Sequence, residues 1–449
     1  MTKLDVVNRR ESRQGNARSL GARTFWSASG AERRFRRSSL KDTTQSLAQG
    51  ARALRAIPEE DLPAAWNDTL AAFLDAGSPE RRELDPDLLQ STGLSPTGLD
   101  HSLQAIGSGM VGQPAAAELR RPHCQQADGF SLVVLPASPP GLMLQSLLPA
   151  LAARAPVLFK SSRAEPCFAP AFLAALAHRL PALDEAYASA TWTGGDASIE
   201  GGLYSAARLV AAYGNEATID SVRAAGPRRL ITFGPKLSLG WVGRDADVEQ
   251  TARGMALDIG LFDQRGCLSV EAVFVEPAIA TTFAAALAEA IRELARRLPP
   301  GRSNAAERAG VRLAREDADL RGLPWYGDAL DAGTVITDAD TRIRPSPGLR
   351  TVRIHPVEGA PTLDEWNGRL QGVAVAGHMP AAVRLAFEHA GVSRFAPAGE
   401  LQATDAAWRN GGIDLAAEFA GSNSRASKLK RGLDRTHDRY ADAFRRLTK

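Results

Sequence analysis

Cysteine is scarce: three residues in a chain of 449, at positions 124, 167 and 267. An odd number of thiols spread so widely excludes a disulfide framework and implies a reducing compartment, so the cytoplasm is the expected location. Long apolar runs are missing, so no segment is expected to span a membrane, and the N-terminus lacks the apolar stretch of a secretory leader. The seven histidines and three cysteines show no zinc-ligand spacing, and no metal is expected. A large charge of one sign is also missing. The net charge is only +3, and the excess of Arg and Lys gathers in the first forty or so residues and in the last stretch, "SRASKLKRGLDRTHDRYADAFRRLTK". Composition of this kind describes solvated, partly disordered ends and carries no fold, so nucleic acid is not an expected partner.

What is present is an ordinary globular composition, 44% hydrophobic and 23% charged, in a chain long enough for two or three well-buried cores. Residues 45–110 have helical spacing, with Ser95-Pro96 as a helix start. From Phe130 the pattern changes. "FSLVVLPAS", "PVLFKSS", "YASATWTGG", "ARLVAAYGN" and "RRLITFG" read as short buried strands, separated by helical segments such as "GLMLQSLLPALAARA" and "CFAPAFLAALAHRL". Alternation of this kind predicts an α/β fold with a doubly wound, Rossmann-like parallel sheet. A second α/β stretch begins with the strand "SVEAVFVE", passes through a long Ala-rich helix from Ala278 and a charged, exposed helix, and continues to about Pro397. The expected division is a basic tail over 1–44, a helical lead-in and cofactor-binding domain over 45–236, a catalytic domain over 237–390, and a return to the cofactor domain with a basic C-terminal helix over 391–449.

Doubly wound sheets bind ligands at the carboxyl ends of their strands. Those ends read Ala137-Ser138-Pro139-Pro140-Gly141, Lys160-Ser161-Ser162-Arg163, Thr193-Gly194-Gly195 and Tyr213-Gly214-Asn215. Small residues recur where a backbone must approach a phosphate or sugar closely. No strand end carries G-x-G-x-x-G, so the usual dinucleotide fingerprint is absent there. The stretch "LFDQRGCLSVEAVFVE" places Cys267 between a polar turn and a strand. A thiol is the most nucleophilic side chain near neutral pH, although most free cysteines are inert and buried.

The order of these motifs resembles the aldehyde dehydrogenase superfamily, and within it the acyl-CoA and acyl-protein thioester reductases of the LuxC family. The resemblance is carried by "PASPPGLMLQSLLPALAARAPVLFKSS", "LVAAYGNEATIDSVRAA", "ITFGPKLSLGWVGRDADVEQTA", "FDQRGCLSVEAVFVE" and "EHAGVSRFAPAGELQATDAAW", from about Pro58 to Phe419. It implies an aldehyde dehydrogenase-like fold, with the active site in a cleft between cofactor and catalytic domains. Cys267 then forms an acyl-enzyme from an acyl thioester, and hydride from the cofactor yields the aldehyde. The acyl donor is CoA or an acyl-carrier or acyl-transferase protein, and the superfamily implies a homo-oligomer.

Two departures from the superfamily pattern carry information. Ser138 stands where the oxyanion-binding asparagine is expected; a shorter hydroxyl reaches an oxyanion only if the loop shifts or a water intervenes. Aldehyde-oxidising members carry a water-activating glutamate where this chain reads Thr232-Phe233-Gly234-Pro235-Lys236. Without a base there, hydrolysis of an acyl-enzyme should be slow, which favours reduction over oxidation. The resemblance also assigns cofactor contacts to Lys160, Ser162, Arg163, Gly194, Gly214, Asn215 and Gly234. Arg163 occupies a position where NAD-preferring members often have glutamate, and a cation there suits a 2′-phosphate, so NADPH is the expected cofactor. The competing readings are an oxidative aldehyde dehydrogenase and a weakly active scaffold that binds a carrier protein.

Overall fold

The strands anticipated between Phe130 and Phe233 form because each is a short, almost uninterrupted apolar run, which suits a sheet covered on both faces. The computed structural model describes residues 24–27, 32–34, 39–121, 129–329 and 332–421. Its elements fall into two units, which alternate along the chain: residues up to 61, 128–137 and 156–234 form the first, and residues 62–127, 138–155 and 235 onward form the second.

In the first unit the strands are β1 (Thr24–Ser27), β2 (Glu32–Arg34), β3 (Ser131–Val134), β4 (Val157–Ser161), β5 (Tyr187–Thr191), β6 (Leu209–Tyr213) and β7 (Leu230–Phe233). Their order is β2-β1-β5-β4-β3-β6-β7. The five strands from β3 to β7 are mutually parallel, whereas β1 lies antiparallel on β5 and β2 antiparallel on β1. The chain leaves β3 toward β4 on one side and later returns to β6 on the other, so β3 and β6 flank the topological switch point where such sheets bind ligands. Leu132, Val134, Leu158, Val210 and Ala212 of the sheet pack with Ile199, Leu203, Ile219 and Val222 from two crossover helices. The strands β1 and β2 correct the expectation of a tail without elements over 1–44. An edge such as that of β5 offers unpaired backbone groups, and a short segment can join it without any apolar pattern of its own.

The second unit holds β8 (Leu237–Val242), β9 (Val270–Val275), β10 (Trp325–Tyr326), β11 (Thr334–Thr337), β12 (Thr351–Pro356), β13 (Leu370–Ala376) and β14 (Arg394–Pro397), in the order β10-β11-β12-β9-β8-β13-β14. All are parallel except β10. Leu239, Trp241, Ala272, Phe274 and Val373 anchor its core. The helices Pro79–Thr92 and Pro96–Gly107 also belong here. Ser95 begins the second of them as anticipated, accepting from the Gly98 N–H at 3.0 Å while its hydroxyl donates to the Pro299 carbonyl at 2.6 Å. The expected C-terminal helix lies outside the described residues.

Candidate active site

Helix α1 (Val248–Gly260) joins β8 to β9, and Cys267 sits on the connection between helix and strand. That connection is an unusual backbone. Phe262, Asp263 and Gln264 all have positive φ, at 57°, 50° and 64°. Each such residue costs about 1–3 kcal/mol unless its surroundings enforce it. Here they do. Asp263 accepts from buried Arg350 at 3.0 Å and from the Gly301 N–H at 2.9 Å. The Gln264 amide donates to the carbonyls of Val270 and Thr351 at 2.9 and 2.8 Å, and accepts from the Thr351 N–H and the Ser346 hydroxyl at 2.9 and 3.1 Å. Arg265 pairs with Glu307 and donates to the carbonyls of Thr92 and Arg302. The three polar residues before Gly266 therefore fix the loop.

The turn that carries the thiol is closed on itself. The Ser269 N–H donates to the Gly266 carbonyl at 3.0 Å, and the Gly266 N–H donates to the Ser269 hydroxyl at 3.2 Å. The Ser238 hydroxyl, from β8, donates to the Cys267 carbonyl at 2.8 Å. Cys267 itself is half-buried. Burial pushes its thiol pKa up, opposed by its own backbone N–H and by the Lys236 ammonium. At rest the group is held as a thiol, with two nearby features that favour the thiolate. Cys167, at the start of Phe168–Arg179, is also half-buried, and Cys124 lies outside the described residues.

In the first unit, Lys160 is the penultimate residue of β4, with its ammonium 5.1 Å from the centroid of the Trp192 ring, a cation–π distance. Burial lowers its pKa; Glu200 opposes that shift and Arg163 adds to it, so two cations share this strand end. Buried Glu200 accepts from the Trp192 indole N–H at 2.8 Å, the Gly195 N–H at 2.8 Å and the Tyr204 hydroxyl at 3.2 Å, which ties down the Gly194-Gly195 turn. A Cβ added at Gly194 or Gly234 would meet nothing within 4 Å. Paired cations beside an open glycine turn fit an anionic, sugar-phosphate ligand.

With that geometry in place, comparison with known proteins is decisive for family. The model of the acyl-CoA reductase family, LuxC, matches residues 115–419. The chain belongs to the LuxC family. Among curated proteins it is 27% identical over 150 residues to the long-chain acyl-protein thioester reductase of Aliivibrio fischeri, covering 33% of this chain and 31% of that one. It is 28% identical over 167 residues to that of Photorhabdus luminescens, covering 36% and 35%. The chain thus matches about a third of the length of these relatives. Among solved structures, an oxidoreductase from Marinobacter aquaeolei superposes with a TM-score of 0.66 at 15% identity, covering 84% of this chain and 87% of that one. A benzaldehyde dehydrogenase from Corynebacterium glutamicum gives 0.64 at 16%, covering 88% and 92%. The fold is aldehyde dehydrogenase-like.

Against the LuxC resemblance, the anticipated residues divide between the two units. Lys160, Ser162, Arg163, Gly194, Gly214, Asn215 and Gly234 all belong to the first, and Ser138 and Cys267 to the second. Three of the first group have local structural work. Asn215 caps the helix Glu216–Ala224, accepting from the Thr218 N–H at 2.9 Å, and the Ser162 hydroxyl accepts from the Ala164 N–H at 3.2 Å. Gly214 makes room for Thr218, which would stand 2.8 Å from an added Cβ. Ser138 is half-buried in the loop before the helix Leu144–Ala152. His355 is buried on β12, its ring Nδ1 3.2 Å from the Asp338 carbonyl, and burial lowers its pKa, so it packs as a neutral ring. Among the described residues there is no cluster of three His, Cys, Asp or Glu suited to a metal, and no helix long and apolar enough to cross a membrane. Sequence reading missed Lys236, Ser238, Trp192 and Glu200. Lys236, Ser238 and Trp192 lay within quoted stretches without being singled out, and Glu200 lay outside them.

Proposed function

We propose that this protein reduces a fatty-acyl thioester to the aldehyde with NADPH, through an acyl-enzyme on Cys267, taking the acyl group from CoA or from a carrier or transferase protein. The observation that carries this reading is Cys267 itself: a half-buried thiol on a doubly tied turn, with an ammonium biasing it toward thiolate. Attack on the thioester carbonyl joins the Cys267 sulfur to the acyl carbon and expels the donor thiolate, which takes up the proton lost by Cys267. The oxyanion formed on the way needs donors, and the Cys267 N–H and the Ser138 hydroxyl are the groups proposed for it. Thr232, on β7, cannot act as a base toward water, so the acyl-enzyme persists.

Lys160 and Arg163 would hold the 2′-phosphate end of the cofactor, with the Gly194 turn leaving room for the sugar-phosphate backbone. When bound, the cofactor would supply the hydride for the acyl carbon; the thiohemiacetal anion so formed would collapse to the aldehyde and the Cys267 thiolate, which takes a proton from solvent to restore the thiol. Intact-protein mass spectrometry with a panel of acyl-CoAs and acyl-carrier proteins tests the scheme. The expected result is one acyl mass on the wild-type chain, lost on adding NADPH as aldehyde appears, and absent from Cys267→Ala. No adduct with any donor would remove the reductase reading.

A further inference from the structure

We propose that Gln402 is a positioning residue for the nucleophile turn, holding Gly266 and thereby the direction of the Cys267 thiol. This deepens the reading above and rests on Cys267 being the acylated residue. The loop that carries Gln402 is fixed from two sides. Asp258, fully buried on the helix Val248–Gly260, accepts from the N–H groups of Gly399 at 2.6 Å and Leu401 at 3.0 Å. Arg394 donates to the carbonyls of Glu400, Leu401 and Ala403 at 3.0, 2.7 and 2.8 Å. The Asp258 carboxyl, which burial pushes up to about 7, thus takes the loop's N–H groups, and the Arg394 guanidinium takes its carbonyls. Gly254 lets helix and loop touch, since a Cβ there would stand 2.4 Å from the Ala398 carbonyl oxygen.

Gln402 leaves this loop toward the turn. Its amide N–H donates to the Asp258 carbonyl at 2.7 Å. Its Oε1 accepts from none of the described residues and lies against Gly266, 3.2 Å from where a Cβ would be. The preceding residue, Leu401, converges with Leu268 over Gly372, where an added Cβ would lie 3.0 Å from the first and 3.1 Å from the second. Consecutive loop residues therefore approach the residues on either side of Cys267.

The test is alkylation of Cys267 by iodoacetamide in the full-length protein across about pH 6 to 10, with Cys167 as internal reference. The titratable and charged groups that bear on this turn are Lys236, which favours thiolate, Asp263 and Arg265, which pair with Arg350 and Glu307, and Asp258, whose carboxyl burial pushes up to about 7, so each variant is compared with wild type at the same pH. Gln402→Glu places a carboxylate at Gly266, which disfavours thiolate, so Cys267 should react about tenfold more slowly near neutrality with Cys167 unchanged. Gln402→Ala should lower kcat about tenfold while KM for the acyl donor stays within about twofold. Wild-type Cys267 profiles in both variants would overturn the proposal. Should Gln402→Glu fail to fold, Gly266→Ala serves: it should slow Cys267, and adding Gln402→Ala should restore most of the rate, whereas no restoration overturns the contact. Absence of an acyl adduct on the wild-type enzyme would instead remove the nucleophile reading and leave the alkylation result to stand or fall alone.

Discussion

The turn after β5 and the turn before β9 both depend on glycine, for opposite reasons. At Gly194 an added Cβ would meet nothing within 4 Å, whereas at Gly266 it would press on Gln402, Phe262 and Ser269 at 3.2–3.3 Å. The first turn is tied by the Glu200 carboxylate on the Gly195 N–H and by the Asp196 N–H on the Thr193 carbonyl, and the space beside Gly194 is open. The second is enclosed by side chains from several segments, with three left-handed residues leading into it. On the proposed function, the first turn needs space that the protein leaves unfilled, while the thiol needs one direction, which only dense contacts can impose.

The strongest way to break the contrast is to release the packed turn. Arg350→Ala leaves Asp263 buried without its cation, and unfolding free energy should drop by about 3–5 kcal/mol in chemical denaturation. A drop below about 1 kcal/mol would mean that the left-handed turn does not depend on this pair. Next comes Glu271, near the same network, whose carboxyl burial pushes up to about 7, opposed by the Ser346 N–H. A carboxyl with a raised pKa binds its proton more tightly when folded. Stability should therefore fall as pH rises from about 4.5 through 7 and then level off. Glu271→Gln mimics the protonated form, so thermal melts should show it stabilised by about 2 kcal/mol at pH 8 and unchanged near pH 4. An equal gain at both pH values would assign the effect to packing.

Smaller effects are expected at the open turn. Arg163→Ala should raise KM for NADPH about tenfold, with little change for NADH, because only the former carries the 2′-phosphate. Equal changes for both cofactors would place Arg163 elsewhere. Gly194→Ala should alter stability by less than about 0.5 kcal/mol, because its Cβ would enter free space. A larger loss would show that this turn is as constrained as the one at Gly266.

Much of the fold was legible along the chain. Every strand expected from Phe130 to Phe233 is present within a few residues, and the Ser95 helix start caps as anticipated, because apolar periodicity and capping are local properties. Cys267 was legible because its turn and strand are adjacent in sequence. The strands β1 and β2 were not, since they join an edge through backbone pairing and not through any pattern of their own. The roles of Asp263, Gln264 and Arg265 were also hidden. Their partners lie 87 residues away at Arg350 and Thr351 and 42 away at Glu307, and no single sequence marks such pairs.

By itself the sequence determined the α/β class, the strand ends that carry small residues and cations, and the thiol placed between turn and strand. Those follow from side-chain size, charge and apolar spacing over a few residues. Only the tertiary structure decided that Glu200 ties the Gly195 turn, that the Cys267 thiol is pushed up by burial, and that Gln402 reaches Gly266 from a loop held by Asp258. Burial and hydrogen bonding between distant segments depend on where the chain returns in space, and that is settled by the packing of the whole core.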